Sequence, residues 1–136
     1  MKNNIEDDYC SFEVSKLLKE KGFTWNDWKP FQGIKIEGVP IGLDNAFPCY
    51  DENGKEIRPH KYTETNKHYP RPTHNIAIKW IRKNFGIHII SEPISKKLWM
   101  WKSLVLKTNA SDCDYPFNTH EEAIDAALLQ TLNNLI

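Results

Sequence analysis

The apolar and polar positions of this chain are most regular between Pro70 and Ile90, where a start signal, an amphipathic stretch, a stop signal and a strand follow without a gap. Thr73 is a good N-cap, and Pro70 and Pro72 before it fit just outside a helix start. At about 100° per residue, Ile76, Ala77, Ile78, Trp80, Ile81 and Phe85 sweep a little more than half of the circumference. Asn75, Lys79, Arg82 and Lys83 share the rest. The pattern predicts a helix from about His74, buried on most sides and stopped by Gly86 in the left-handed C′ position.

Around it, the pattern predicts further elements. Ser11 caps a first helix in which Cys10, Val14, Leu17 and Leu18 recur at i, i+4, i+7, i+8, and Gly22 with Phe23 ends it. Residues 33–41 alternate apolar and charged and read as a strand. Phe47–Tyr50 and Glu56–Arg58 flank the Asn53-Gly54 turn of a hairpin. Pro59–Arg71 has no periodicity and reads as a loop. Ile87–Ser91 is a strand, and Leu98–Lys107, apolar on both faces, reads as a central one. Thr108–Phe117 reads as a loop or weak edge strand. Thr119-His-Glu-Glu122 is a capping box opening a last helix with Ile124, Ala127, Leu128, Thr131, Leu132 and Leu135 in one stripe. Leu129 is left on the opposite side.

The expected fold class is therefore α+β, three helices packed on small antiparallel sheets in the order α-β-β-β-α-β-β-α. Its 136 residues suit one domain spanning 1–136, with 1–8 as a loose N-terminal arm. The arm has no apolar run and no stretch approaches the ~20 apolar residues of a membrane span, so a cytoplasmic location with no membrane partner is expected. Three widely spaced cysteines, Cys10, Cys49 and Cys113, fit reduced thiols better than a disulfide framework.

Charge changes this picture. The net charge of zero divides into −4 over residues 1–54, +9 over 55–107 and −5 over 108–136. Acidic ends folding back on a basic middle account for this, and so does a basic surface for an anionic ligand.

Candidate chemistry is sparse. No GxGxxG, GxxxxGK[ST] or HExxH occurs. His60 and His68, with Cys49 or Cys113, match no common zinc spacing, so neither metal nor cofactor is expected. Cys10 on an apolar stripe reads as a small buried side chain, and His74 on the apolar arc as a satisfied core histidine. These features point away from an enzyme.

What remains is binding. His68, Tyr69, Arg71, Thr73 and His74 lead into a helix N-terminus, whose free N–H groups and dipole favour an anion. Trp99 and Trp101 share one strand face, where they either stack a base or pack the core. Lys79, Arg82 and Lys83 form a secondary basic surface. Trp25, Trp28 and Leu129 are candidates for protein interaction. The segment order over 73–135 is also that of a double-stranded-RNA-binding domain, but His120, Glu121 and Glu122 would repel phosphates where such domains are basic. Double-stranded nucleic acid is accordingly not an expected partner.

The blocks CSFEVSKLLKEKGF, YPRPTHNIAIKWIRKNFGIHI and FNTHEEAIDAALLQTL cover under half of the chain. They resemble a group of small uncharacterised proteins of gut bacteria and their phages. That group shares a first helix ending in KEKGF, a YPxPT turn before a KWLRE-like helix, and a closing FxxYEEA-like helix. The chain departs from the group at TWNDWK after the first helix and at His120, where an aromatic residue is usual. No site residue carries over. The resemblance implies an accessory protein of a phage or mobile element that binds or blocks. The first expectation is a non-enzymatic protein sequestering a small anionic, nucleotide-like ligand, as in counter-defence. The alternative is an interaction module or inhibitor of a host protein, and the third is an unrecognised enzyme. The oligomeric state stays open, a homo-oligomer included.

Overall fold

A computed structural model describes residues 8–24, 48–57 and 68–136. Trp25, Trp28, His60 and the strand expected over 33–41 lie outside the described residues. The fold is α+β, with three helices and two three-stranded antiparallel sheets.

Helix α1 spans Phe12–Glu20, where the Ser11 side chain accepts the Val14 N–H. At its end Gly22, at φ +105°, lets its own N–H reach the Lys19 carbonyl (3.1 Å) while Phe23 N–H reaches Leu18 (2.9 Å). This crossed pair satisfies carbonyls that the helix leaves orphaned. Strands β1 (Cys49–Tyr50) and β2 (Glu56–Ile57) form the expected hairpin, with the Asp51 carboxylate accepting the Asn53 and Lys55 N–H groups (each 2.9 Å).

One correction falls on the segment read as a loop through Arg71. Tyr69–Pro70 is a third strand, β3, pairing with β1 in the order β2-β1-β3. Two residues are too few to show periodicity, and the pairing comes from a strand about twenty residues earlier.

Helix α2 spans His74–Phe85, capped by Thr73 through the Ile76 N–H and stopped by Gly86 at φ +66°. It buries His74, Ile76, Ala77, Trp80 and Ile81, while Phe85 at the end of the arc is exposed. The second sheet follows at once: β4 (Ile87–Pro93), β5 (Trp99–Val105) and β6 (Ser111–Phe117), in the order β4-β5-β6. The segment read as a loop or weak edge strand is thus an edge strand. Helix α3, His120–Asn134, opens on Thr119, whose hydroxyl accepts the Glu122 N–H (3.1 Å). Glu122 reaches back to Asn118 N–H (3.3 Å), one residue before the position a capping box specifies.

One core joins these parts. Val14 and Leu18 of α1, Cys49 of β1, Ala77, Trp80 and Ile81 of α2, Ile87 and Ile89 of β4, Trp101 of β5, and Ala127, Leu128 and Leu132 of α3 form a single buried cluster. Each fully buried leucine or isoleucine side chain contributes about 1.5–3 kcal/mol. Leu129, expected to face away, is partly buried and packs on this cluster. It is therefore not a free interaction residue.

Strand β5 is central, as expected, but among the described residues only one of its faces is covered. Trp101 and Ser103 point into the core, whereas Lys102 and Leu104 stay exposed. The helices lie on one side of this sheet, and the apolar residues on the other side are open. Among the described residues no helix is long and apolar enough to cross a membrane.

Candidate functional site

The entrance to α2 is the place where sequence put the ligand, and there the residues satisfy one another. Tyr9 bridges Thr73, Cys10 N–H donates to Pro72 O (2.9 Å), and His74 N–H donates to Asp8 O (2.8 Å). With Ile76 N–H taken by Thr73 Oγ1 (3.3 Å), two of the donors that an anion would need are occupied. Residues 8–10, read in part as a loose arm, cover the site.

Arg71 is enclosed in the same way. Its guanidinium carbon lies 4.4 Å from the ring centre of Tyr9 and 5.4 Å from that of Tyr50. Nε donates to Tyr50 Oη (3.2 Å), and Nη2 is 3.2 Å from Glu56 Oε1. Tyr50 Oη in turn donates to Cys10 O (2.7 Å). Cation–π contact and charge-assisted bonds thus fix Arg71 between the N-terminal segment and the hairpin. The Tyr69 ring meets Phe12 edge-on at 5.6 Å and has Lys19 Nζ 5.1 Å from its centre, and Lys19 donates to His68 O (2.8 Å). Among the described residues, His68, Tyr69, Arg71, Thr73 and His74 therefore do not converge on an open anion pocket. The basic and aromatic character of this stretch is consumed in packing.

His74 is a satisfied core histidine. Its Nε2 lies 3.2 Å from Asp125 Oδ1, which also accepts the Ser11 N–H (3.0 Å). Burial pushes the Asp125 carboxyl up, but the bonds from His74 and Ser11 outweigh it and hold the group below its ordinary value. Cys10 completes a cysteine, histidine and carboxylate neighbourhood without making a nucleophile. Burial, reinforced by the Asp125 charge and only partly opposed by Arg71, pushes its thiol well up. Cys49 is likewise pushed up to about 11 by burial and by Asp51. Such thiols stay protonated and unreactive at neutral pH. Among the described residues no group of three or more His, Cys, Asp or Glu could hold a metal ion.

The two tryptophans separate. Trp101 is 2% exposed, within the core. A bulge between it and Trp99 sets Trp99 opposite Phe117 and Trp101 opposite Asp114, and the Trp99 ring ends edge-on to His120 at 5.1 Å. The pair offers no shared stacking platform.

The open surface lies on the outer face of β4-β5-β6. Pairing aligns His88 with Leu104 and Ser111, and Ile90 with Lys102 and Cys113, in two rows across the three strands. They line an open groove of about 470 Å³. Ile90 is 38% exposed, Leu104 37% and, continuing the alternation beyond the strand, Leu106 54%. Lys102 Nζ sits 2.7 Å from Glu92 Oε1, so this cation and the carboxylate beside it neutralise each other. A second groove, of about 380 Å³, runs along α2 beside Asn75, Ile76, Ile78, Lys79 and Arg82, with Lys83 exposed on the following turn. Sequence named the basic residues of the second groove and missed the first. Its signal was present, since Leu98–Lys107 is apolar on both faces, but that pattern was read as burial on both sides.

No known protein family, curated protein or solved structure matches this chain.

Proposed function

We propose that this chain is a non-enzymatic binding protein that works through the open face of β4-β5-β6, as an interaction module that docks on a host protein. The observation that carries this reading is the contiguous exposure of Ile90, Leu104 and Leu106 on a sheet whose opposite face is packed. A continuous apolar patch of this kind, with its charges paired internally, is typical of an interface. The context implied by the resemblance, a phage or mobile-element accessory protein acting in counter-defence, fits a small blocker of this kind. A second reading, binding of a small nucleotide-like anion, is favoured by the groove flanked by Lys79 and Arg82.

One experiment with two arms separates them. Host proteins are captured on the immobilised chain and on Leu104→Glu, which charges the centre of the open face. The interaction reading expects a partner whose affinity falls at least about tenfold, a loss of about 1.4 kcal/mol or more, in the variant. An identical captured set from both chains would remove it. In the other arm, a panel of nucleotides and cyclic nucleotides is tested for thermal stabilisation. No rise in melting temperature at millimolar concentration would remove the anion reading.

A further inference from the structure

The two edges of the β4-β5-β6 sheet are built differently. Val105 N–H donates to Ala110 O (2.7 Å), which fixes the alternation of the β5–β6 ladder. Asp112 and Asp114 then face β5, and the backbone of Ser111, Cys113 and Tyr115 points to the outer edge. Two of those outward N–H groups are already occupied: Cys113 N–H donates to Asp112 Oδ1 (2.9 Å) and Tyr115 N–H to Asp114 Oδ1 (2.8 Å). Pro116 has none to offer. Self-capping by carboxylates and a proline blocks this edge against another strand.

The β4 edge is less protected, with Pro93 at its end as the outward residue that has no N–H. Ile94 N–H donates to Leu98 O (2.9 Å) and Leu106 N–H to Gly86 O (2.9 Å), so the even-numbered residues of β4 bond to β5. Ile87, Ile89, Ser91 and Pro93 turn their backbone groups outward, and among the described residues no strand pairs with them. Seven residues of regular strand with an unpaired edge are a template for strand addition.

We propose that a second copy of this chain occupies that edge, β4 against β4 in antiparallel register about a two-fold axis at Ile90. The side chains select this partner and this register. With Ile90 opposite Ile90 of the second copy, His88 of each chain stands opposite Glu92 of the other, and the exposed isoleucines cover each other. Ile89 and Ser91 then exchange both backbone bonds with Ser91 and Ile89 of the second copy. Ile87 N–H donates to the carbonyl of Pro93, and the return bond to the Ile87 carbonyl is absent because Pro93 has no N–H. Shifting the axis to Ile89 would place His88 against an isoleucine and leave it without a polar partner. The product is a continuous six-stranded sheet with β6 blocked at both ends, a closed two-fold assembly that cannot grow further. It does not depend on what the open face binds.

The test uses the full chain. Light scattering is expected to give twice the 15.9 kDa chain mass at high micromolar concentration, and Ile90→Glu, which sets two carboxylates face to face at an exposed position, to halve it. In a Cys113→Ser background, mild oxidation should link Ile90→Cys chains into disulfide dimers and leave His88→Cys chains unlinked. Residues facing each other at a non-hydrogen-bonded antiparallel site have Cα atoms about 4.5 Å apart, within the range a disulfide spans. A wild-type monomer, a dimer that survives Ile90→Glu, or an Ile90→Cys chain that does not link overturns the proposal. Should Ile90→Glu fail to fold, the linking pattern of the two cysteine variants decides alone.

Discussion

Trp101→Ala is expected to destabilise the chain by about 3–5 kcal/mol and to lower its melting temperature by roughly 10–20 °C in a thermal scan. Trp101 is on the central strand, 2% exposed, with its indole in the buried cluster, so alanine removes the largest buried side chain of β5 and leaves a cavity. A domain of this size has about 5–15 kcal/mol in total, and this one substitution takes a large share of it. Trp101→Phe gives the sharper comparison. The indole Nε1 is buried without a protein partner among the described residues, so phenylalanine gives up volume but also removes an unsatisfied donor. The expected loss is less than half that of alanine. Equal losses for the two variants would show that the indole N–H is satisfied and that Trp101 contributes through polarity as well as bulk.

Asp125→Ala is expected to cost about 2–4 kcal/mol, since it strips the partner from His74 Nε2 and from the Ser11 N–H at the start of α1. Its pH dependence carries a definite sign. The folded-state carboxyl is held below its ordinary value, so its contribution is fully present above the unfolded pKa of about 3.9 and is lost as pH falls through the lower folded value. The gap in melting temperature between wild type and Asp125→Ala should therefore be constant from pH 7 to about pH 5 and narrow below about pH 4. A gap that widened on acidification would mean that Asp125 is destabilising as an ion and that His74 is held by something else.

How much of this was legible in the sequence depends on the distance over which each signal acts. Ser11, Gly22, Thr73, Gly86 and Thr119 announce helix ends because each of their partners lies within a few residues. The same locality exposed the hairpin at Asp51–Gly54. Strand β6 was half-legible: Asp112, Asp114 and Pro116 are poor strand formers, and the segment is extended because β5 pairs with it. The candidate ligand site failed for a related reason. Arg71, Tyr69 and His68 looked surplus to packing because their partners, Tyr9, Tyr50 and Lys19, are 21 to 62 residues away in the sequence. No local pattern reports that a basic residue already has aromatic rings waiting for it. The open sheet face was visible as a second apolar stripe, but burial and binding write the same alternation.

The bond from Ser11 N–H to Asp125 spans 114 residues and has a consequence for synthesis. Helix α1, with Val14 and Leu18 ready to be buried, is translated 114 residues before the carboxylate that anchors its start. At about 5–20 residues per second, roughly 6–23 s separate the two. During that interval α1 carries an uncovered apolar stripe, the period in which a nascent chain is open to chaperones and to misassociation. The start of α1 is locked only by a residue translated long after it.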